Sequence, residues 1–277
     1  MLWRQAAIVY KDDEQSAEMA RTAAGFLRDS GLDVWLECSG AEYRPSPPPD
    51  FSPDLVISLG GDGTLLHAAR SWGLTGIPLF GVNLGHLGFL AETEPANFLP
   101  LLGDILAGNY RAEKRMALEV IVERQGRIQA KTLALNEVVI NKGALSRIIT
   151  INFQINDFGR WSFRADGVII ATPTGSTAYN LSAGGPVIYP TMRATIITPI
   201  CPFTLTSRPL VIPADLPVEM EVDAHDQDIH LTADGQISIP LEPGDRITAQ
   251  SHKADISLIV SPHRNFIDIL RQKLNWA

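Results

Sequence analysis

Short apolar runs alternate with helix-spaced segments through the first third of the chain. Ala6–Tyr10 is an apolar run of strand length. Ala17, Ala20, Ala24 and Leu27 then recur at three- and four-residue intervals that put side chains on one helical face, and Gly31 supplies the stop. Asp33–Leu36 reads as a second strand, and Pro45, Pro47, Pro48 and Pro49 mark a loop, because proline brings no N–H to a helix or a central strand. Asp54–Leu59 is the clearest buried strand. Leu65, Leu66, Ala68 and Ala69 predict a helix ending near Gly73, and Ile77–Val82 a further strand. This order predicts an α/β domain with a mostly parallel, Rossmann-like sheet and helices on its faces.

Near Asn109 the texture changes. Leu118–Arg124, Leu133–Asn141, Ile148–Ile155 and Trp161–Arg164 are short strand-like runs separated by turn residues such as Gln125-Gly126 and Asn156-Asp157. Val218–Val222 and Ile256–Val260 alternate or are rich in β-branched residues. These runs predict an all-β, sandwich-like C-terminal domain. The expected division is an α/β nucleotide-binding domain over residues 1–108 and a β-rich domain over 109–261, with the helical pattern in 262–277 folding back onto the first.

Composition narrows the function classes. The chain has 277 residues, 45% of them hydrophobic, enough for a sizeable core, and no run has the length of a membrane span. The start, MLWRQAAIVY, turns polar too soon for a signal peptide, so a soluble cytoplasmic protein is expected. With 23 basic and 31 acidic residues the net charge is −8, and Lys114-Arg115 is an isolated basic pair. Neither nucleic acid nor a membrane surface is therefore an expected partner. Cys38 and Cys201 form no CxxC pair, which argues for two reduced thiols rather than a disulfide or a thiolate zinc site.

The chemistry concentrates in glycine-punctuated loops. Gly60-Gly61-Asp62-Gly63-Thr64 sits where a buried strand hands over to a helix, so free N–H groups and the positive end of the helix face one point, as phosphate binding requires. No Gly-Lys-Ser/Thr follows, so this is not a P-loop, and the dinucleotide fingerprint has no acid inside the turn. Asp62 would repel a phosphate unless it served the chemistry, either by accepting a proton from an attacking hydroxyl or by orienting a hydroxyl and a magnesium ion. Otherwise Asp-Gly forms a tight turn, or Thr64 caps the helix. The two preceding glycines, the strand before and the helix after favour the chemical readings.

Further polar segments follow strand-like runs. They are Asn83-Leu84-Gly85-His86-Leu87-Gly88-Phe89-Leu90, then Asn136-Glu137 ahead of an apolar β run, and Asp166-Gly167 through Thr172-Pro173-Thr174-Gly175-Ser176-Thr177-Ala178-Tyr179-Asn180-Leu181-Ser182 to Gly184-Gly185-Pro186. Asn can both donate to and accept from an adenine edge, and Glu can hold hydroxyls or amide hydrogens. The Thr/Ser/Gly-rich stretch offers hydroxyls, close backbone and an aromatic ring. GGDGT resembles the motif shared by NAD kinases, diacylglycerol and sphingosine kinases and phosphofructokinases. The NxGxLGFL loop, the Asn-Glu pair and above all the DGxxxxTPTGSTAYxLSAGGP stretch are similar to NAD kinases specifically. The agreement runs on through Ile200-Cys201-Pro202, Ser207-Arg208-Pro209-Leu210, Asp234-Gly235-Gln236 and Leu270–Trp276, so it covers the chain from about Ser58 onward.

The resemblance implies an NAD kinase that transfers a terminal phosphoryl group from ATP, or polyphosphate, to the 2′-hydroxyl of the adenosine ribose of NAD, with a divalent cation such as magnesium. It implies Asp62 as general base with Gly63 beside it, and phosphate binding by Gly60, Gly61 and Thr64. It places Asn136, Glu137, Thr177, Ala178, Tyr179, Asn180, Leu181, Ser182 and Gln236 at the NAD. His67 would lie at the pocket rim, or be an ordinary helix-surface histidine; Arg147 would be a basic contact, or a solvated arginine. Asp166 would meet the nicotinamide half from a neighbouring subunit, since family sites are shared in homodimers or homotetramers. Arg164, two residues before Asp166, is the residue found in relatives strict for oxidised NAD. One departure is Phe203, where many relatives carry histidine. The alternatives are a lipid kinase, which would need an exposed apolar or basic membrane patch, and a dinucleotide sensor that has lost the chemistry.

Overall fold

The computed structural model describes residues 3–40, 46–85, 88–91, 93–143, 147–156, 159–204, 206–223, 228–261 and 265–275. Pro45, His86, Leu87, Asp157 and Trp276, named above, lie outside these residues. The chain divides into two compact units, Met1–Lys114 with Ala254–Ala277, and Arg115–Lys253.

The first unit opens with β1 (Gln5–Tyr10), α1 (Glu14–Asp29), β2 (Asp33–Cys38), β3 (Leu55–Gly60), α2 (Asp62–Trp72), β4 (Pro78–Asn83), α3 (Phe98–Leu106) and β5 (Arg111–Arg115). In α1, Asp13 caps the first turn by accepting the Ser16 N–H at 2.8 Å, and Ala20, Ala23, Ala24 and Leu27 are buried along one stripe. The second unit continues with β6 (Leu118–Arg124), β7 (Arg127–Ala134), β8 (Glu137–Lys142), β9 (Ile149–Ile155), β10 (Arg160–Ala165), β11 (Gly167–Ala171), α4 (Tyr179–Ser182), β12 (Ala194–Ile200), β13 (Leu210–Pro213), β14 (Val218–Asp223), β15 (Ile229–Ala233), β16 (Ile237–Leu241) and β17 (Arg246–Ser251). β18 (Ile256–Val260) and α5 (Phe266–Leu274) return to the first unit.

The first unit's sheet has the order β2-β1-β3-β4-β18-β5, and every pair from β2 to β18 is parallel. The chain leaves β1 toward β2 and re-enters on the other side at β3, so the β1/β3 boundary is a topological switch point, where the carboxyl ends of parallel strands leave room for a ligand. β3 is buried along its whole length, as a strand covered on both faces must be. Ile256–Val260 belongs here, parallel to β4, and not to the β-rich unit to which its composition assigned it. Its five residues are all buried, the pattern of an interior parallel strand rather than of an alternating sandwich strand.

The second unit is a sandwich of two six-stranded antiparallel sheets, β10-β9-β14-β17-β6-β7 and β13-β12-β11-β8-β15-β16. Leu118, Val120, Ile151 and Met220 from one sheet and Val138, Ile140, Val168 and Leu231 from the other fill one core. The run Leu133–Asn141, expected as a single strand, is two. β7 ends at Ala134 on the edge of the first sheet, and β8 begins at Glu137 inside the second, so Leu135 and Asn136 carry the chain from sheet to sheet. Apolar periodicity alone does not register this corner, because Leu135 is buried on both readings.

Phe153 anchors one edge of the sandwich, with its ring stacked on Trp161 at 5.2 Å and Phe163 at 4.9 Å. Phe153→Ala is expected to lower stability by about 3–5 kcal/mol in urea denaturation, the usual range for a buried Phe. A loss below about 1 kcal/mol would show that the stack does not hold the β9–β10 edge.

Candidate active site

In the first unit the Gly60–Thr64 loop lies at the switch point. β3 ends on Gly60, Gly61 is extended, and α2 starts at Asp62 with no side-chain cap. The Asp62 carboxylate does not hang free. Its Oδ2 accepts the Phe89 N–H at 2.8 Å, and its Oδ1 accepts those of Leu90 at 3.1 Å and Ala91 at 3.0 Å. The two glycine-punctuated loops, separate in the sequence, are thus joined through this acid. Leu84 N–H also donates to Gly60 O at 2.7 Å. Gly88 is obligatory at this approach, since a Cβ there would overlap Asp62 Oδ1.

Other expected residues of this unit fare differently. The Thr64 N–H donates to Gly61 O at 3.1 Å, closing the first helical turn, so it is not held open for a phosphate; the residue itself is buried. His67 is not a surface histidine. It is buried, with Nε2 2.7 Å from Glu37 Oε1 on β2, and the other oxygen of Glu37 accepts the Trp72 indole N–H at 3.2 Å. That ring is engaged inside the fold, which argues against the pocket-rim role. Lys11 belongs to none of the sequence motifs. It is the first residue past β1, its N–H donates to Leu59 O at 3.0 Å, and its exposed ammonium pairs with Asp13 at 3.0 Å. The one signal pointing to it is its position at the end of a parallel strand at the switch point.

In the second unit Asn136 and Glu137 occupy the corner between the sheets. Asp234, at the turn from β15 to β16, accepts the N–H groups of Leu135 at 3.1 Å, Asn136 at 2.8 Å and Glu137 at 3.3 Å, and donates its own to Glu137 O at 2.9 Å. The sequence motif Asp-Gly-Gln assigns Asp234 no role of its own, although Asp-Gly in a hairpin turn is a recognisable signal. Gln236, exposed in the same turn, donates its N–H to Ala233 O.

The Thr/Ser/Gly-rich segment lies on this corner. Thr172 N–H donates to Asn136 O at 2.8 Å, and its hydroxyl donates to Leu135 O at 2.6 Å. Gly175 rides on Asn136 so closely that a Cβ would overlap the Asn136 carbonyl. Asn180 is fully buried; its amide donates to Ser176 O and Pro186 O, and its Oδ1 accepts the Thr198 hydroxyl at 2.7 Å. The side chain thus braces the segment. Thr177, Ala178 and Leu181 are half-buried, whereas Tyr179 and Ser182 are exposed.

Glu137 is the electrostatic focus. It is 6% exposed, its carboxylate accepts the Tyr179 backbone N–H, and Oε2 has no hydrogen-bond partner among the described residues. Burial, and then the negative charge of Asp234, push its pKa up to about 7, against a lowering by the Tyr179 N–H. Thr174 Oγ1 is a second buried oxygen without a partner in this segment. A buried polar atom left without a partner is costly unless a ligand meets it.

Arg164 and Asp166 are not gathered at this corner. Asp166 precedes β11, whose other end, Ala171, pairs with Glu137, so five strand steps, about 17 Å, separate the two positions. Asp166 lies 3.5 Å from Lys142 Nζ. The Arg164 guanidinium rests 5.1 Å from the centre of the exposed Phe203 ring, and the Phe203 N–H donates to Arg164 O. Arg147 is exposed. A 390 Å³ groove on the outer face of β9, β10 and β14, lined by Gln154, Arg160 and Glu219 among others, contains none of the expected residues. Among the described residues no group of three or more His, Cys, Asp or Glu side chains could hold a metal ion.

Glu137→Gln isolates the buried acid. With a folded pKa of about 7 against an ordinary 4.5, Glu137 contributes stability that is complete below pH 4.5 and is lost as pH rises through 7. The wild-type chain should lose about 3 kcal/mol relative to the Gln variant across that window, read from urea denaturation at low and high pH. A pH-independent difference would contradict the shift.

A family model for the ATP-NAD kinase N-terminal domain matches residues 6–110, and one for the ATP-NAD kinase C-terminal domain matches residues 135–260. The NAD kinase of Syntrophotalea carbinolica is 43% identical over 268 residues, covering 94% of this chain and 93% of that one. That of Heliobacterium modesticaldum is 42% identical over 274 residues, covering 96% and 97%. Among solved structures, a yeast NADH kinase complexed with NADH superposes with a TM-score of 0.84 at 25% identity, over 99% of this chain and 88% of that one. An NAD kinase from Archaeoglobus fulgidus in complex with ATP gives 0.78 at 26% identity, over 99% and 100%.

Proposed function

The chain belongs to the NAD kinase family, and from that premise we propose which of its residues carry the transfer of a phosphoryl group from ATP to the 2′-hydroxyl of NAD. Membership makes it a phosphotransferase and sets aside the lipid-kinase and sensor alternatives.

Asp62 is the general base. The observation that carries this reading is the three-amide setting of its carboxylate, which fixes the group at the switch point yet leaves Oδ2 with a single donor. A carboxylate has about four lone-pair sites, so Oδ2 can still accept the proton of a ribose hydroxyl. The backbone of Gly60, Gly61 and Gly63 lies beside the donor phosphates, helped by the start of α2. Without a carboxylate or histidine cluster to cage it among the described residues, magnesium would arrive as part of the substrate, held by the phosphates of ATP. Phosphoryl transfer asks mostly for alignment, which rigidly held groups provide.

NAD contacts come from Asn136, Glu137, Thr177, Ala178, Tyr179, Leu181, Ser182 and Gln236. The unpartnered Glu137 Oε2 and the exposed Tyr179 ring support this assignment. Arg164 and Asp166 serve the nicotinamide half from a second copy of the chain, in a homodimer or homotetramer. Their separation from Glu137 along β11 supports that arrangement, as do the exposed Leu210 and Val211 on β13, the edge strand of the same sheet. Arg147 is a peripheral contact. Two free cysteines are consistent with action in the cytoplasm. Among the described residues no helix is long and apolar enough to cross a membrane.

Purified protein with ATP, magnesium and NAD should form NADP, read by a coupled dehydrogenase, and replacing ATP by polyphosphate reports the donor range. Asp62→Asn should lower kcat by at least about 10²-fold with little change in KM for NAD. Equal turnover of the two proteins would remove Asp62 from the chemistry.

A further inference from the structure

We propose that Asp234 is a positioning residue of the dinucleotide site: it fixes the corner that presents Asn136 and Glu137 and keeps the Glu137 carboxyl in reserve, so that dinucleotide binding releases a proton. This rests on the assignment of Asn136 and Glu137 to NAD.

Four hydrogen bonds tie Asp234 to the corner, three to the consecutive N–H groups of Leu135, Asn136 and Glu137 and one from its own N–H to Glu137 O. Asp234 is buried, and it holds a left-handed backbone (φ 49°) followed by Gly235 (φ 63°), the geometry of a tight hairpin turn. Its carboxylate therefore stays within one peptide unit of the Glu137 side chain. The groups that act on Glu137 are few. Asp234 faces it from the β15–β16 turn, and the Tyr179 N–H donates from the start of α4. On β11 its register partner is the uncharged Ala171. Burial and the Asp234 charge favour the neutral acid up to about pH 7.

Glu137 Oε2 nevertheless has no hydrogen-bond partner among the described residues. NAD offers hydrogen-bond donors in its ribose hydroxyls and adenine amino group, and a carboxylate accepts from these more strongly than a neutral acid does. The step balances simply: the Glu137 O–H bond breaks, its proton goes to solvent, and the carboxylate oxygen accepts an N–H or O–H of the dinucleotide. No oxidant, metal or second substrate takes part.

The test is NAD binding by calorimetry from about pH 5.5 to 8.5, in pairs of buffers with different ionisation heats, which count protons directly. For the wild-type chain, affinity should rise about tenfold per pH unit up to pH 7 and then level off, with about one proton released at the acid end. Glu137→Gln should bind without a slope and without proton release. Asp234→Asn removes the like charge and should move the bend to lower pH, a change that a purely structural role would not produce. If that variant does not fold, Glu137→Gln still decides the proton count. NAD binding with a flat profile in the wild-type chain, or an undiminished slope in Glu137→Gln, overturns the proposal while leaving the NAD site in place. An unmoved bend in folded Asp234→Asn overturns the part assigned to Asp234. Absence of NAD binding at every pH removes the site assignment and this inference together.

Discussion

Backbone N–H groups at a loop corner have no ladder to join, and in this protein aspartate carboxylates gather them. Asp62 takes the amides of Phe89, Leu90 and Ala91, and Asp234 takes those of Leu135, Asn136 and Glu137. Each carboxylate satisfies three donors that would otherwise be stranded, through hydrogen bonds strengthened by its charge. The constraint works in both directions: the amides hold the carboxylate, and the carboxylate fixes the loop. Close approach follows, which is why Gly88 lies against Asp62 and Gly175 against Asn136.

The two aspartates use the same construction for different ends. Asp62 stands at the first residue of α2 with an acceptor position to spare, which suits the general-base role proposed for it. Asp234 gives its carboxylate to the corner amides, and its charge adds to burial in making the Glu137 carboxyl costly to ionise. Preorganised dipoles and charges cost no rearrangement at the moment of reaction, and a corner set by backbone hydrogen bonds is a stable way to provide them.

The Thr/Ser/Gly-rich signature divides along the same line. Thr172, Ser176 and Asn180 spend their polar atoms inside the fold, on Leu135 O, Pro173 O, Ile188 O and Thr198. Tyr179 and Ser182 remain outside that network and exposed. A motif that names a ligand site therefore contains at least as much scaffold as contact. His67 makes the same point in the other unit, because its ring belongs to Glu37.

The sequence by itself determined much of this protein. Alternation of buried runs and helix-spaced segments specified the parallel sheet up to β4, since a strand buried on both faces and a one-faced helix have different periods. Glycines flanking Asp62 marked the strand-to-helix loop proposed for the chemistry, and the Thr172–Ser182 signature singled out the family. Tertiary structure decided what depends on residues distant in the chain. β18 joins the first sheet about 170 residues after β4, and no local pattern states its partner. The break at Leu135-Asn136 exists because Asp234, about a hundred residues away, holds the corner amides. Periodicity reports which face of a segment is buried, but a hydrogen bond between remote residues leaves no trace in it, and these bonds decide which polar side chains face a ligand and which are enclosed.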